Sequence, residues 1–70
     1  MQIMKPRRYP TLRAWRVQNG LSQPAAALKL GCSLSSYVRY ETRRRFLRGP
    51  DAKRVQARTH VPIEVLVGAA

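Results

Sequence analysis

The chain has 70 residues, 14 Lys plus Arg against 3 Asp plus Glu, and a formal net charge of +11. That length holds one small core and one binding surface, and it excludes a deep enclosed active site. Most of the cations are arginine, whose planar fork of donors suits phosphate oxygens and guanine edges. The expected partner is therefore a polyanion, nucleic acid first and an anionic membrane second, against the alternative of a merely basic, soluble protein.

Residues 1–10 contain Lys5, Arg7 and Arg8 beside Pro6 and Pro10, a composition that resists a regular helix. Two readings stand: a frayed terminus, or a basic arm that lies along phosphates or enters a minor groove, with Arg7 and Arg8 as phosphate contacts. Residues 11–70 read as one all-α domain. Thr11 is placed to cap a first helix over Leu12 to about Asn19, with Leu12, Trp15 and Asn19 on one face and Arg16 beside them. Gly20 suits the left-handed residue that ends such a helix.

Ser22 is the next cap, and Pro24 falls in the first helical turn, where its missing N–H costs little. The second helix then runs to about Leu30, with Ala26, Ala27 and Leu30 inward. Their small size lets another helix come close, and Gly31 stops the run. Ser33 caps a third helix from Leu34 to about Thr42. At 100° per residue, Tyr37, Tyr40 and Glu41 cluster on one side, Ser35 and Arg39 point the opposite way, and Leu34, Ser36 and Val38 flank them.

The loop TRRRFLRG, Thr42 to Gly49, carries four arginines around Phe46 and Leu47, both expected to pin it to the core. A fourth helix starts at Pro50-Asp51, with Ala52, Val55 and Thr59 inward and Asp51 at the helix's positive end. Pro62 starts a short fifth helix with Val65 and Leu66. No alternating strand pattern and no internal repeat is present.

Few residues carry chemistry. Cys32 is the single cysteine, so an intramolecular disulfide is impossible, and with only His60 besides it there is no zinc ligand set. Cys32 reads as a small buried apolar residue. His60 with Asp51 or Glu64 nearby in sequence is not a catalytic set, so no enzyme activity, metal, cofactor or small-molecule ligand is expected. Trp15, Tyr37 and Tyr40 stand at helical spacing and read as core rather than as base-stacking platforms. The opening MQIMKPRRYP lacks an apolar central region, and the run from Val65 to Ala70 is too short to span a bilayer, so a cytoplasmic protein is expected.

From Leu12 to Leu66 the sequence resembles the lambda-repressor-like (Cro/cI-type, XRE-type) helix-turn-helix family. The resemblance rests on Leu12 with Trp15-Arg16, Gly20-Leu21-Ser22-Gln23, Ala27, Leu30-Gly31, Ser33, Tyr37 to Glu41, Phe46, Thr59-His60-Val61-Pro62 and Leu66. The spacing from Gln23 through Gly31 to Glu41 is the family's, without gaps. The resemblance implies a compact four- to five-helix bundle whose third helix enters the major groove of DNA. It implies base contacts by Leu34, Ser35, Ser36 and Arg39. Phosphate contacts follow for Gln23, which also braces the third helix, and for Arg43, Arg44 and Arg45. It implies a partly buried salt bridge between Arg16 and Glu41, which takes both off the DNA-contact list.

Five positions depart from the family pattern, and one of them is Leu34, less polar than most base readers. Arg43 and His60 replace usual glycines after the third and fourth helices, so a distorted helix ending and displaced arginines are expected at 43–45. Leu28 and Val17 occupy positions that are usually polar, and form either an apolar patch for a partner or isolated surface residues.

The resemblance implies a sequence-specific double-stranded DNA-binding regulator, expected to be a repressor of phage, mobile-element or autoregulatory type. It would act as a homodimer on an inverted repeat, using Val61, Val65, Leu66 and Val67 for the dimer contact. Two rivals remain: a protein-interaction module such as an antitoxin or adaptor on the same fold, and a basic RNA- or ribosome-associated protein without sequence preference.

Overall fold

Thr11 opens the first helix in the manner its position requires. Its backbone is extended, and its hydroxyl accepts a hydrogen bond from the Ala14 N–H at 3.1 Å, satisfying one donor that the helix itself leaves unpaired. Ser22 and Ser33 do the same for the next two helices, accepting from Ala25 and Ser36. The computed structural model describes residues 8–69. Their regular structure is wholly helical: α1 (Leu12–Gln18), α2 (Gln23–Leu30), α3 (Leu34–Glu41), α4 (Gly49–Thr59) and α5 (Ile63–Leu66). The helices fall where the caps and stops put them, with ends differing by a residue.

The core is built from one face of each helix. Ala26, Ala27 and Leu30 of α2 are buried against α3, and the two alanines let the backbones approach. Tyr37 is fully buried between α3 and α1, Leu12 and Trp15 cover it from α1, and Ala52, Val55 and Thr59 close it from α4. Burying one such large side chain is worth about 1.5–3 kcal/mol. Thr59 is a buried polar residue with both functions satisfied: its hydroxyl donates to the Val55 carbonyl at 2.7 Å and accepts from the Val61 N–H at 3.2 Å. Cys32 is half-buried rather than buried, and desolvation raises its pKa against the opposing charge of Arg54.

The turn between α2 and α3 needs a left-handed residue, and Gly31 supplies it at φ 69. Two other helix ends use the same conformation without a glycine. Arg43 after α3 has φ 62 and His60 after α4 has φ 59. The ending of α3 is therefore not distorted as expected. It keeps the left-handed geometry on a side-chain-bearing residue, at a steric cost of about 1–2 kcal/mol.

Three expectations about packing are corrected. Leu47 is buried and its N–H donates to the Leu66 carbonyl at 2.9 Å, so it pins the loop as expected. Phe46 does not enter the core: it is 38% exposed, with its ring against Gly68 on one side and the Arg43 guanidinium 5.8 Å from its centroid. Val61 and Leu66, expected at a dimer contact, are core residues, because the chain turns inward on either side of α5 to close the bundle. Of that set only Val67 is exposed, and Val65 is partly buried against the core. Tyr9, expected in the arm, is buried, and its N–H donates to the His60 carbonyl at 3.2 Å. The folded unit thus begins before Thr11. Arg7 lies outside the described residues.

Two arginines of α4 hold the C-terminal end of α2. Arg54 donates to the Leu30 carbonyl and Arg58 donates to the Lys29 carbonyl at 3.0 Å. Both place a cation at the negative end of the α2 dipole and occupy carbonyls that the helix leaves unpaired.

Candidate nucleic-acid interface

One surface of the molecule is built by the start of α2, the exposed side of α3 and the loop that follows. Along α3 the polar and apolar sides separate by helical periodicity. Tyr37 is buried and Tyr40 and Glu41 are half-buried toward the core, whereas Leu34, Ser35 and Arg39 are exposed and Ser36 and Val38 lie between. The first turn of α3 is therefore open to solvent, held at its cap by Ser33.

A carboxylate hub fixes where that surface sits. Glu41 Oε1 accepts from Arg16 Nε of α1 at 2.6 Å and from the Tyr37 hydroxyl at 2.9 Å, and Oε2 accepts from Gln23 Nε2 of α2 at 2.9 Å. Arg16 also donates through Nη1 to the Leu21 carbonyl at 3.0 Å. One carboxylate thus ties together α1, α2 and α3. Burial pushes its pKa up, but the hydrogen bonds from Arg16, Gln23 and Tyr37 outweigh that, and the carboxyl titrates below its ordinary value. The same bonds act on the partners. The hydrogen bond to Glu41 holds Arg16 firmly protonated, and burial together with donation to Glu41 pushes the Tyr37 hydroxyl well above its ordinary range.

Gln23 is consequently engaged at the foot of α2. An amide nitrogen carries two donors, so its bond to Glu41 leaves one N–H for an anion at the helix N-terminus.

The loop after α3 folds back on the helix. The N–H groups of Arg44 and Arg45 donate to the Arg39 carbonyl at 2.9 and 3.2 Å, and the Thr42 hydroxyl donates to the Val38 carbonyl at 2.7 Å. With Arg43 left-handed, the three consecutive arginines go two ways. Arg43 turns toward Phe46, while Arg44 and Arg45 line an open cleft of about 890 Å³ together with Tyr40, Arg48 and Asp51. Arg8 is exposed at the other end of the described chain.

A family model described as "Helix-turn-helix domain" matches residues 11–66. The chain belongs to the helix-turn-helix domain family. Neither the curated proteins nor the solved structures returned a match. Within this helix-turn-helix domain, α2 and α3 are the packed pair and residues 31–33 the turn, with its glycine at the left-handed position. Among the described residues no group of three or more His, Cys, Asp or Glu is placed to hold a metal, and no helix is long and apolar enough to cross a membrane.

The residues named from sequence fall into three groups. Ser35 and Arg39 share the exposed side of α3, with Ser36 half-buried beside them and Leu34 exposed at the N-terminal end. Arg44 and Arg45 share the cleft beyond it, with Arg43 set apart. Arg16, Glu41 and Gln23 form the hub behind it. Arg48 was missed: it stands at the N-cap of α4 and lines the same cleft as Arg44 and Arg45. Its signal in sequence was present, an arginine immediately before the Gly-Pro-Asp helix start. Tyr9 was missed because neighbouring prolines and arginines masked a single apolar residue.

Proposed function

We propose that this helix-turn-helix protein is a sequence-specific double-stranded DNA-binding regulator that represses by occupying a promoter, with α3 in the major groove. The observation that carries the reading is the division of α3. Tyr37 and Glu41 are consumed by the fold, while Ser35 in the first turn and Arg39 in the last are open on the opposite side and Leu34 is exposed at the N-terminal end. Arg39 suits a fork onto guanine O6 and N7, Ser35 and Ser36 suit a base edge or a phosphate, and Leu34 suits a thymine methyl. Gln23, Arg44, Arg45 and Arg48 are the phosphate set, joined by Arg43 and, as the basic arm's contribution, by Arg7 and Arg8.

One such module reads few base pairs, so binding as a homodimer on an inverted repeat completes the reading. With Val61 and Leu66 buried, the dimer contact falls to exposed Val67, at the edge of the cleft that Arg44, Arg45 and Arg48 line, and to what Val65 leaves uncovered.

Selection of binding sites from random duplex DNA tests the proposal. A palindromic consensus is expected, with half-sites one helical turn apart. A salt-titrated shift assay then compares that site with random duplex and with RNA. The specific complex is expected to lose affinity with a slope of about −0.9 per neutralised phosphate on a logarithmic plot, while remaining tighter than either competitor. Equal binding to all three at every salt concentration, with no consensus, rejects the regulator and leaves a non-specific basic protein.

A further inference from the structure

A second surface lies away from the recognition helix. The ends of α1, α2 and α4 enclose an open groove of about 600 Å³ to which neither α3 nor the loop after it contributes a residue. At its base Trp15 and Leu30 are buried, Leu21 is half-buried and Asn19 is exposed. Its rim carries Leu28, Lys29 and Arg58, all exposed. Leu28 is 82% exposed, the most exposed of the large apolar side chains, and it stands beside the groove rather than alone on a polar face. The groove is also rigidly framed, since Arg58 is bonded to the Lys29 carbonyl and Arg54 to the Leu30 carbonyl.

We propose that this groove binds an acidic amphipathic segment of a partner protein, an α-helix whose apolar side chains sit over Leu28 and Leu21 while its carboxylates meet Lys29 and Arg58. The charge of the rim chooses the occupant. Two cations flank the groove and the chain carries +11 overall, so a basic or neutral segment has no complement here, this chain's own arginine-rich N-terminal residues included. Exposed Leu28 beside half-buried Leu21 argues against nucleic acid, whose backbone offers phosphates but nothing to cover them. A helix that lays apolar anchors into a groove and rims them with charge satisfies both features. Because the groove shares no residue with α3, occupation of one surface leaves the other's contacts intact.

The test titrates the isotope-labelled full chain with an acidic helical peptide about 15 residues long, bearing leucines at i, i+3, i+4 and i+7 among glutamates and aspartates. A second peptide replaces each leucine with alanine at unchanged charge. The expected result is a shift of the amide signals of Leu21, Leu28, Lys29 and Arg58 with the leucine peptide, and binding weaker by about tenfold or more with the alanine peptide. Leu28→Lys is expected to weaken the leucine peptide to a similar degree. That change adds attraction for an acidic ligand, so a loss isolates the apolar contact, and a residue this exposed tolerates lysine without unfolding. Val17→Lys, outside the groove, is expected to leave binding unchanged. Equal affinity for the two peptides, shifts confined to α3 and residues 42–48, an unaffected Leu28→Lys variant, or no binding by the leucine peptide each overturns the proposal.

Discussion

Arg16 of α1 and Glu41 of α3 meet in a 2.6 Å charged hydrogen bond, with their side chains 17% and 6% exposed. They are 25 residues apart in sequence, so the bond closes a loop containing the whole helix-turn-helix pair. Its energetic meaning lies in what happens when one partner is lost. An exposed pair is worth little, but a buried carboxylate without its cation retains its desolvation cost. Glu41→Ala also removes the acceptor of one Gln23 donor and leaves the Tyr37 hydroxyl only the Leu12 carbonyl at 3.5 Å. The expected loss from either Arg16→Ala or Glu41→Ala is about 3 kcal/mol, measured as a lowered urea midpoint. In a domain whose total stability is on the order of 5–10 kcal/mol, that is a large share. Replacing both residues together with methionine and leucine is expected to recover part of the loss. Additive single losses in the double variant count against a coupled pair.

The same carboxylate sets a pH dependence. Its folded pKa lies below the ordinary 4.5 because the three hydrogen-bond donors favour the charged form. For a depressed carboxylate the unfolded state takes up the proton first. The stabilisation is complete above about pH 5 and is lost as pH falls through 4.5 and then through the lower folded value. Thermal midpoints measured from pH 7 down to pH 2 are expected to drop over that window. In Glu41→Gln the drop is expected to be shallower from a lower starting stability. A parallel slope in the two proteins shows that other groups govern the acid limit.

Two non-glycine residues hold left-handed backbone, Arg43 at φ 62 and His60 at φ 59. Glycine adopts this conformation without the Cβ clash, so each substitution relieves strain. His60→Gly is expected to raise stability by about 1 kcal/mol, read from the urea midpoint. Arg43→Gly relieves the same strain but gives up the stacking of its guanidinium on Phe46, worth about 0.5–1 kcal/mol at an exposed site, so its net effect is expected to be near zero. Equal gains from both substitutions mean that the Arg43–Phe46 contact contributes nothing.

The places where sequence and structure agree share a cause. The helix starts at Thr11, Ser22 and Ser33 and the stop at Gly31 are decided by local chemistry, namely a side-chain oxygen for the orphan donors and a residue free to turn left-handed. The face of α3 follows from helical periodicity alone. The disagreements concern residues whose place depends on something distant. Val61 and Leu66 look like surface valine and leucine near a chain end until α4 and the Leu47 loop close over them. Tyr9 belongs to the core because the end of α4 offers the His60 carbonyl to its N–H. Phe46 reads as an anchor, yet the neighbouring Leu47 takes the inward position and one residue's rotation leaves the ring outside. Arg48 joins the cleft only because the loop returns past the end of α3.

Arg39 and Arg44 distinguish reading from gripping on the proposed DNA complex. Arg39 stands on the exposed side of α3, in the last turn of that short helix, and a bidentate fork onto one guanine is worth about 1–3 kcal/mol of discrimination. Arg44 sits beyond the helix in a cleft shared with Arg45 and Arg48, where a cation meets phosphate whatever the base. Arg39→Ala is therefore expected to flatten preference at one position of the selected consensus while leaving other positions intact. Arg44→Ala is expected to weaken consensus and random duplexes by the same factor and to reduce the salt slope by about 1. Arg48→Ala is expected to behave as Arg44→Ala does, since both side chains line one cleft. The measurement is a competition shift assay on single-base variants of the consensus, run at several salt concentrations. If Arg39→Ala loses affinity uniformly across those variants, α3 grips the backbone rather than reading bases, and specificity must then come from the deformability of the site or from the arm.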